Sequence, residues 1–373
     1  MKKHKKPDRY SLDKILAADA QWNVIYGGRS NGKTYAVHEF GIKTYLKTGG
    51  QMAIIRRWND DFQGVRSITM FDNQVCNGDG ENNIKRLSGG KWDGVKNIGK
   101  RWYLTAGTGD DMVVDEKPFA IGFAITAMEH DKSTAYPMIT TVLFDEFLTR
   151  TTYLNDEFIL FTNTLKTIIR ERTNVKIFMC GNTVNAYCPY FREMGLTRVK
   201  DMPEGTIDVY TYGDSPMRVA VEHTASIVSH SSSIYFAFDN PRLSMVRGSS
   251  EWEIDVYPHC PYNYGPSDIV FTFFIVFDGD ILQCECVQAP MHDGLFLFVH
   301  PKTTELKHPD SDLIYSMDTY DIRPNWDRNL FTSDMSVSKK ICALIKRGKI
   351  FYSDNTTGEI MRNYMLACGV RMR

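Results

Sequence analysis

The chain has 373 residues, 43% of them hydrophobic and 24% charged, which is the composition of a globular protein and excludes a largely disordered or fibrous one. Because this length exceeds what most single cores support, we expect two domains. The formal net charge of −1 excludes attraction of nucleic acid by the chain as a whole, so any such contact must use local basic patches.

The cysteines and the apolar segments limit where the protein can work. The eight cysteines include no CxxC pair, and no histidine lies at zinc-ligand spacing from them. No apolar stretch is long enough to span a bilayer, and the N-terminus lacks the apolar core of a signal peptide. We therefore expect a soluble protein with reduced thiols that is neither exported nor bound to a membrane.

A glycine-rich segment directly follows the strand predicted at 22–26. It matches the phosphate-binding pattern G-x-x-x-x-G-K-[ST] with Gly27, Gly28, Arg29, Ser30, Asn31, Gly32, Lys33 and Thr34. In such a loop the backbone N–H groups and the positive end of the next helix bind phosphates, Lys33 neutralises them and Thr34 holds magnesium. The segment therefore predicts a nucleoside triphosphate site; the alternative is a glycine-rich turn with a surface lysine.

Three further apolar runs, at 52–55, 139–144 and 175–180, alternate with helical periodicity. Near-continuous apolar strands are typical of a parallel sheet covered on both faces. We predict an α/β fold, a P-loop NTPase domain of the ASCE or RecA-like class with a mostly parallel sheet and helices on both faces.

The segment 59–117 is rich in Gly, Asn and Asp and interrupts this alternation. It contains one isolated strand at 101–105 and a set of basic residues, namely Lys85, Arg86, Lys91, Lys96, Lys100 and Arg101. These residues fit either a hairpin that contacts nucleic acid or an ordinary surface loop.

Asp145 and Glu146 directly follow the strand predicted at 139–144, in the arrangement of a Walker B motif. There Asp145 can hold magnesium, and Glu146 can orient and deprotonate the attacking water. The alternative is an aspartate that caps a helix, but that would leave an acidic pair at the end of a buried strand without a cation.

Three more polar residues are candidates for the same site. Asn182, after the strand at 175–180, can hydrogen-bond the γ-phosphate and the attacking water, or it is a turn asparagine. Arg170, with Arg172 in reserve, can complete the site of a neighbouring subunit because a rigid guanidinium suits transition-state charge. Either arginine can instead be the cation that ends a helix.

The composition becomes Ser-rich and then mixed around residues 223–250, which indicates a linker module. We place a P-loop ATPase domain at 1–217, a linker module at 218–256 and a smaller C-terminal domain at 257–373. This last domain ends in a basic segment, 337–373, which is a candidate for binding DNA, RNA or another protein.

The C-terminal domain is predicted to contain strands at 268–278, 281–288 and 295–299, followed by two helices. A two-metal nuclease needs several carboxylates that converge from strand centres. The interiors of the first and third strands carry none, and Asp278 and Asp280 flank a turn. We therefore predict no DNA cleavage.

Several segments between residues 10 and 195 together resemble the phi-twenty-nine-type phage DNA-packaging ATPases. They are residues 10–15, Gly28-Arg29 with Gly32-Lys33, Arg56-Arg57, residues 131–137, residues 141–147, Asn182 and Pro189-Tyr190-Phe191. The resemblance implies an ATP- and Mg²⁺-dependent motor that moves double-stranded DNA into a viral procapsid. It implies a homo-oligomeric ring, a pentamer, on the viral portal, with a packaging RNA as a further candidate partner. The protein would work in the host cytoplasm and transiently at the procapsid vertex.

The same resemblance assigns residue roles. It places Lys132 and Arg170 in trans at a subunit interface, Arg56 and Arg57 near the DNA pore or the neighbouring site, and residues 10–15 at the adenine. It also implies that the C-terminal domain has an α+β, RNase-H-like fold that has lost its nuclease acids.

Other classes stay open on sequence alone. They are a different P-loop enzyme such as a helicase or a nucleotide kinase, a terminase with residual nuclease activity, and a non-catalytic nucleic-acid-binding scaffold. Glu146 beside Asp145 favours hydrolysis over phosphoryl transfer to a second substrate, and intact Lys33 and Thr34 argue against a non-catalytic protein.

Overall fold

The computed structural model describes residues 9–76, 80–127, 134–151, 153–226, 252, 254–288, 294–318 and 321–370. The chain divides into two compact units, Met1–Trp252 and Glu253–Arg373. Each unit is built around a β-sheet of its own.

The first unit contains a ten-stranded sheet. Its strands are β1 Trp22–Gly27, β2 Gln51–Arg56, β3 Gly94–Ile98, β4 Arg101–Ala106, β5 Val113–Val114, β6 Ala120–Ala124, β7 Ile139–Asp145, β8 Lys176–Asn182, β9 Thr206–Thr211 and β10 Arg218–His223. They lie in the order β3-β4-β6-β2-β7-β8-β1-β10-β9, with β5 paired to β4. Six neighbouring strands are parallel to one another, namely β6, β2, β7, β8, β1 and β10. At the two sides of this parallel group, β4 pairs antiparallel with β6 and β9 pairs antiparallel with β10.

Helices connect these strands. They are α1 Asp13–Ala17, α2 Lys33–Thr48, α3 Gly64–Ile68, α4 Asp72–Val75, α5 Asn83–Leu87, α6 Glu157–Ile169 and α7 Pro189–Glu193, with short 3-10 helices at Asn59–Phe62, Gly109–Asp111 and Val199–Asp201. Within the described part of the chain, no helix is both long enough and apolar enough to cross a bilayer.

The central strands are buried because successive side chains enter cores on opposite faces of the sheet. In β7, Phe144 packs with Phe161 of α6, whereas its neighbour Leu143 belongs to the cluster that contains Val37 of α2. This alternation explains why the strands predicted from apolar runs are confirmed as β1, β2, β7 and β8.

The first sheet extends beyond the domain boundary predicted at residue 217. β10 lies parallel to β1, with Val24 opposite Val221, and belongs to the same core. The predicted boundary is therefore too early, because the polar, proline-broken sequence before β10 hid a strand whose partner lies about 200 residues earlier. Most of the remaining linker module, residues 227–251, lies outside the described residues.

The second unit contains a six-stranded sheet in the order β15-β14-β11-β12-β13-β16. Its strands are β11 Ile269–Phe277, β12 Asp280–Val287, β13 Phe296–Pro301, β14 Leu313–Ser316, β15 Trp326–Asp327 and β16 Ile350–Tyr352, accompanied by a 3-10 helix at Pro266–Asp268 and by helices α8 Ser336–Lys346 and α9 Asn355–Ala367. β11, β12 and β13 form an antiparallel meander, and β14 and β15 add parallel strands beside β11. The three predicted strands and two helices are confirmed, whereas the short strands β14 to β16 are additions.

Candidate active site at the carboxyl edge of the first sheet

The predicted site residues meet where parallel strands end. Gly27, the last residue of β1, pairs with Asn182, the last residue of β8, and Asp145 at the end of β7 pairs with Cys180. Because β8 lies between β1 and β7, Asn182 stands between the phosphate loop and the acidic pair. The sheet order thus brings the loop at 27–34, Asn182 and Asp145-Glu146 to one edge.

The backbone of the phosphate loop depends on two glycines. Gly32 has a φ of 93° and Gly27 a φ of 152°. A Cβ at Gly27 would lie 2.0 Å from Oγ1 of Thr224, so even alanine would not fit there. Asn31 donates from Nδ2 to the same Thr224 Oγ1 at 2.7 Å. Thr224 follows β10 and supports the loop from behind; no sequence motif marked it.

Lys33 is 5% exposed and folds into the loop. Its Nζ donates to the carbonyls of Gly27 at 3.2 Å and Gly28 at 2.7 Å, and to Oδ1 of Asn31 and Asn182 at 3.2 Å each. Burial lowers the pKa of Lys33 to about 8, although the charge of Asp145 opposes this. The ammonium group therefore lies next to Asn182, where the phosphates of a nucleotide could accept hydrogen bonds from it.

Thr34 and Asp145 present the oxygen atoms that a magnesium ion needs. Thr34 Oγ1 donates to Asp145 Oδ1 at 2.8 Å, and the Asp145 side chain is nearly buried. The described residues contain no group of three carboxylate, His or Cys ligands able to hold a metal. Magnesium bound through few protein ligands relies on phosphate oxygens and water, so this pair of residues fits it as part of a nucleotide complex.

Arg56 contacts both carboxylates of the acidic pair. Its Nη2 lies 2.5 Å from Asp145 Oδ2, and its Nη1 lies 2.8 Å from Glu146 Oε2. The resemblance placed Arg56 near DNA or a neighbouring subunit, whereas the structure places its guanidinium among the carboxylates of its own site.

Glu146 differs from Asp145 in exposure and backbone conformation. Its side chain is 66% exposed, and its φ of 58° lies in the left-handed region. A residue with a side chain pays of order 1 kcal/mol for that conformation, and such strain is found at functional sites. At this exposure water can reach the Glu146 carboxylate beside its contact with Arg56.

Arg57 does not fulfil the DNA or interface role implied by the resemblance. Its side chain is buried and forms a two-pronged ion pair with Glu157, with Nε to Oε2 at 2.7 Å and Nη2 to Oε1 at 2.8 Å. Tyr190 OH and Leu154 N donate to the same carboxylate at 2.7 Å each. A buried arginine committed to a carboxylate that accepts four hydrogen bonds in all supports the fold rather than a DNA surface.

A cavity of about 380 Å³ opens beside the acidic pair. Its wall includes the site carboxylates and Asn182, together with the arginines Arg29, Arg56, Arg57 and Arg150. Arginines suit a highly charged phosphate ligand because the guanidinium stays protonated. Arg150, which also donates to the carbonyl of Val184 at 3.2 Å, was missed by sequence reasoning because it belongs to no motif.

Arg170 and Arg172 lie near the amino end of β7, whereas this site lies at the carboxyl end of the same strand. Arg172 donates to a set of backbone carbonyls, those of Tyr136, Pro137, Ile139, Ile168 and Ile169. Ile139 begins β7 and Asp145 ends it. At about 3.3 Å per residue, the two ends of this strand are roughly 20 Å apart. Arg172 therefore ties α6 to the start of β7, and this commitment argues against its reserve role as a finger.

Arg170 is exposed, has a φ of 54° and donates from Nη2 to the carbonyl of Thr134 at 3.2 Å. It cannot reach the site of its own chain across the length of β7. Lys132, the other residue that the resemblance placed in trans, lies outside the described residues.

Several known proteins resemble this chain in sequence. The model of the family described as "Podovirus DNA encapsidation protein (Gp16)" matches residues 5–87 and 103–211. The DNA packaging protein of Bacillus phage B103 is 28% identical over 185 residues, which cover 49% of this chain and 50% of that protein. The DNA packaging protein of Bacillus phage phi29 is 26% identical over 185 residues, which cover 49% and 48%. The chain thus spans about half the length of the relatives it matches.

Two solved structures share the fold over almost the whole chain. The Phi-28 gp11 DNA packaging motor matches with a TM-score of 0.51 and 16% identity, covering 99% of this chain and 100% of that one. The bacteriophage Phi-29 viral genome packaging motor assembly matches with a TM-score of 0.51 and 20% identity, covering 96% and 99%.

Proposed function

The chain belongs to the Podovirus DNA encapsidation protein (Gp16) family, and we propose that it is an ATP-hydrolysing motor that moves double-stranded viral DNA into a procapsid. The observation that carries this proposal is the convergence of the loop at 27–34, Asp145-Glu146 and Asn182 at one sheet edge. A surface turn with a lysine would not place these groups together.

Each residue of the site has a role in this reaction. Lys33 and the loop N–H groups bind the β- and γ-phosphates, and Arg29 adds positive charge from the cavity wall. Thr34 and Asp145 would hold magnesium, which offsets phosphate charge when it is bound with ATP. Glu146 accepts the proton of the attacking water, and Asn182, already bonded to Lys33, orients that water against the γ-phosphate.

The strand orders support the finer fold assignment. In the first unit a single strand, β8, separates the strand of the phosphate loop from that of the acidic pair, which supports the ASCE or RecA-like class of P-loop NTPases. In the second unit, a meander of three strands with two parallel strands added beside its first strand supports an RNase-H-like α+β fold.

We also infer that the second unit does not cleave DNA. β12 carries one buried carboxylate, Glu285, and its oxygens accept hydrogen bonds from Tyr264 OH at 2.8 Å and Gln283 Nε2 at 2.8 Å. His300 Nε2 lies 3.4 Å from the same group. A single carboxylate satisfied by neutral donors and a histidine does not meet the need of a two-metal nuclease.

The assembly we propose is a homo-oligomeric ring, a pentamer by family resemblance, on the viral portal in the host cytoplasm, with duplex DNA and a packaging RNA as nucleic-acid partners. Exposed Arg170, at the sheet edge away from its own site, supports action on a neighbouring subunit. Within each chain, the unit that ends at Trp252 supplies the ATPase and the C-terminal unit supplies contacts to nucleic acid or portal.

The test is steady-state ATP hydrolysis with and without duplex DNA, for the wild type and for Glu146→Gln. We expect DNA-stimulated turnover in the wild type, and in the variant retained ATP binding with turnover reduced by about 100-fold or more. Equal turnover in the two proteins would remove the role assigned to Glu146.

A further inference from the structure

His38 is a buried polar side chain that no step of the proposed reaction uses. It belongs to α2, is 5% exposed and packs against Phe71, with the two ring centroids 4.4 Å apart. Among the described residues, its Nε2 atom is buried and has no hydrogen-bond partner. Because an unpartnered buried polar atom destabilises a fold, packing alone does not explain a histidine at this position.

The course of α2 places His38 on the face of the first sheet that carries Arg56. A Cβ at Gly41, one turn further along α2, would lie 1.8 Å from Cε of Met52, so α2 runs directly over β2. Alternate residues of a strand share a face, which puts Arg56 on the same side of β2 as Met52. Since α2 begins at the carboxyl edge, His38 lies closer than Gly41 to the end of β2, where Arg56 stands.

Arg56 carries a matching atom without a partner. Its Nη2 and Nη1 bind Asp145 and Glu146, whereas its Nε is buried and, in the part of the chain that the structure describes, makes no hydrogen bond. A guanidinium has donors only. Any further partner of Arg56 must therefore be an acceptor.

His38 supplies such an acceptor. Burial lowers the pKa of His38 to about 4, while the charge of Asp145 raises it and the charge of Arg56 lowers it. The imidazole is thus neutral at neutral pH, and the tautomer protonated on Nδ1 presents Nε2 as an acceptor. The unpartnered atoms of His38 and Arg56 are chemically complementary.

Magnesium and Arg56 use the same carboxylate in the proposed reaction. Asp145 accepts from Arg56 on Oδ2, and it is also the carboxylate that would hold the ion with Thr34. Because a guanidinium keeps its charge, Arg56 needs another acceptor once Asp145 binds magnesium. His38 is a buried neutral acceptor on the same face of β2.

We propose that His38 is a positioning residue that accepts a hydrogen bond from Arg56 when Asp145 binds magnesium. The inference rests on the proposed ATP-hydrolysing function and adds to it the group that receives Arg56 away from the acidic pair. Without magnesium, Arg56 stays on the carboxylates and His38 Nε2 has no partner. His38 therefore favours magnesium binding through Arg56, without contact to the ion or the nucleotide.

The test measures binding of a non-hydrolysable ATP analogue at a series of magnesium concentrations. His38→Phe keeps a ring against Phe71 but has no acceptor, and His38→Leu is a second variant without one. His38→Gln keeps a neutral acceptor. Each change is made alone and together with Arg56→Ala, and thermal melting checks that each variant folds.

We expect His38→Phe and His38→Leu to raise the magnesium concentration that half-saturates binding of the analogue by about five- to tenfold, the effect of one lost hydrogen bond to a charged group. His38→Gln should resemble the wild type because it keeps the acceptor. In the Arg56→Ala background the His38 changes should have no effect, because His38 acts through Arg56.

A purely structural role for His38 would raise the magnesium requirement equally with and without Arg56. That result, or an unchanged requirement in the otherwise unaltered chain, would overturn the inference. Failure of the unaltered chain to bind the analogue at any magnesium concentration would instead overturn the proposed function.

Discussion

Arg56 bridges the two carboxylates of the site, with Nη2 2.5 Å from Asp145 Oδ2 and Nη1 2.8 Å from Glu146 Oε2. Asp145 therefore accepts from Arg56 on one oxygen and from Thr34 on the other. A magnesium ion at Asp145 would compete with Arg56 for the same carboxylate, so its binding and the position of Arg56 would be coupled.

The first prediction concerns this coupling. Arg56→Ala should lower the magnesium concentration that half-saturates ATP binding, because Asp145 loses its competing cation. The same change should lower kcat by about 10-fold or more, because a guanidinium released beside the γ-phosphate is lost. Arg56→Lys keeps the charge without bridging two carboxylates. Its magnesium requirement and its kcat should lie between those of the wild type and those of Arg56→Ala. A magnesium dependence identical to that of the wild type would contradict the competition.

The second prediction concerns the buried pair of Arg57 and Glu157. Glu157→Gln leaves the Arg57 charge buried without a carboxylate, which should lower the free energy of unfolding by about 3 to 5 kcal/mol in urea titrations. The control is Glu193→Gln, since Glu193 pairs with Arg192 at the surface, 3.6 Å apart, and should change stability by about 0.5 kcal/mol or less. Equal small effects of the two changes would show that the pair at Glu157 does not support the fold.

The third prediction concerns pH. Burial raises the pKa of Glu222, whose carboxylate accepts from Tyr10 OH at 2.5 Å. Since the folded state then holds a proton that the unfolded state has released, the contribution of this group to stability falls as the pH rises above its ordinary pKa. Glu222→Gln keeps an acceptor without the charge, so the stability of the variant relative to the wild type should increase as the pH rises above the ordinary carboxyl pKa of 4.5. Parallel stability curves for the two proteins would contradict the burial cost.

The fourth prediction separates Arg170 from Arg172. Arg172→Ala should lower the melting temperature, because five backbone carbonyls lose a hydrogen bond from its guanidinium. Arg170→Ala should leave melting unchanged and reduce ATP turnover. Mixing Arg170→Ala subunits with Glu146→Gln subunits should restore turnover, because some sites then combine Glu146 from one chain with Arg170 from the next. If the turnover of the mixture equals the weighted sum of the turnovers that the two variants show separately, Arg170 does not contribute to a shared site.

The convergence of Lys33, Asp145 and Asn182 could be predicted because the carboxyl ends of parallel strands share one edge and each residue follows a strong apolar run. Arg56 and Arg57 could not be told apart from sequence. Consecutive side chains at a strand end point to opposite sides, so Arg56 enters the site and Arg57 enters the core beside Glu157, 100 residues away.

Thr224 and Arg150 could not be predicted for a related reason. The fold brings each of them to the site from a distant part of the chain: Thr224 contacts Asn31, and Arg150 forms part of the cavity wall. Neither residue belongs to a local sequence motif. The strand β10 that carries Thr224 to the loop was hidden because its pairing with β1 is long-range.

Translocation along DNA can be measured by displacement of a third DNA strand from a duplex by the assembled protein. We expect the wild type to remove the third strand only with ATP and magnesium, and Glu146→Gln to bind the same duplex and ATP but leave the strand in place. Brisk DNA-stimulated ATP hydrolysis by the wild type with the third strand still bound would contradict a translocating motor.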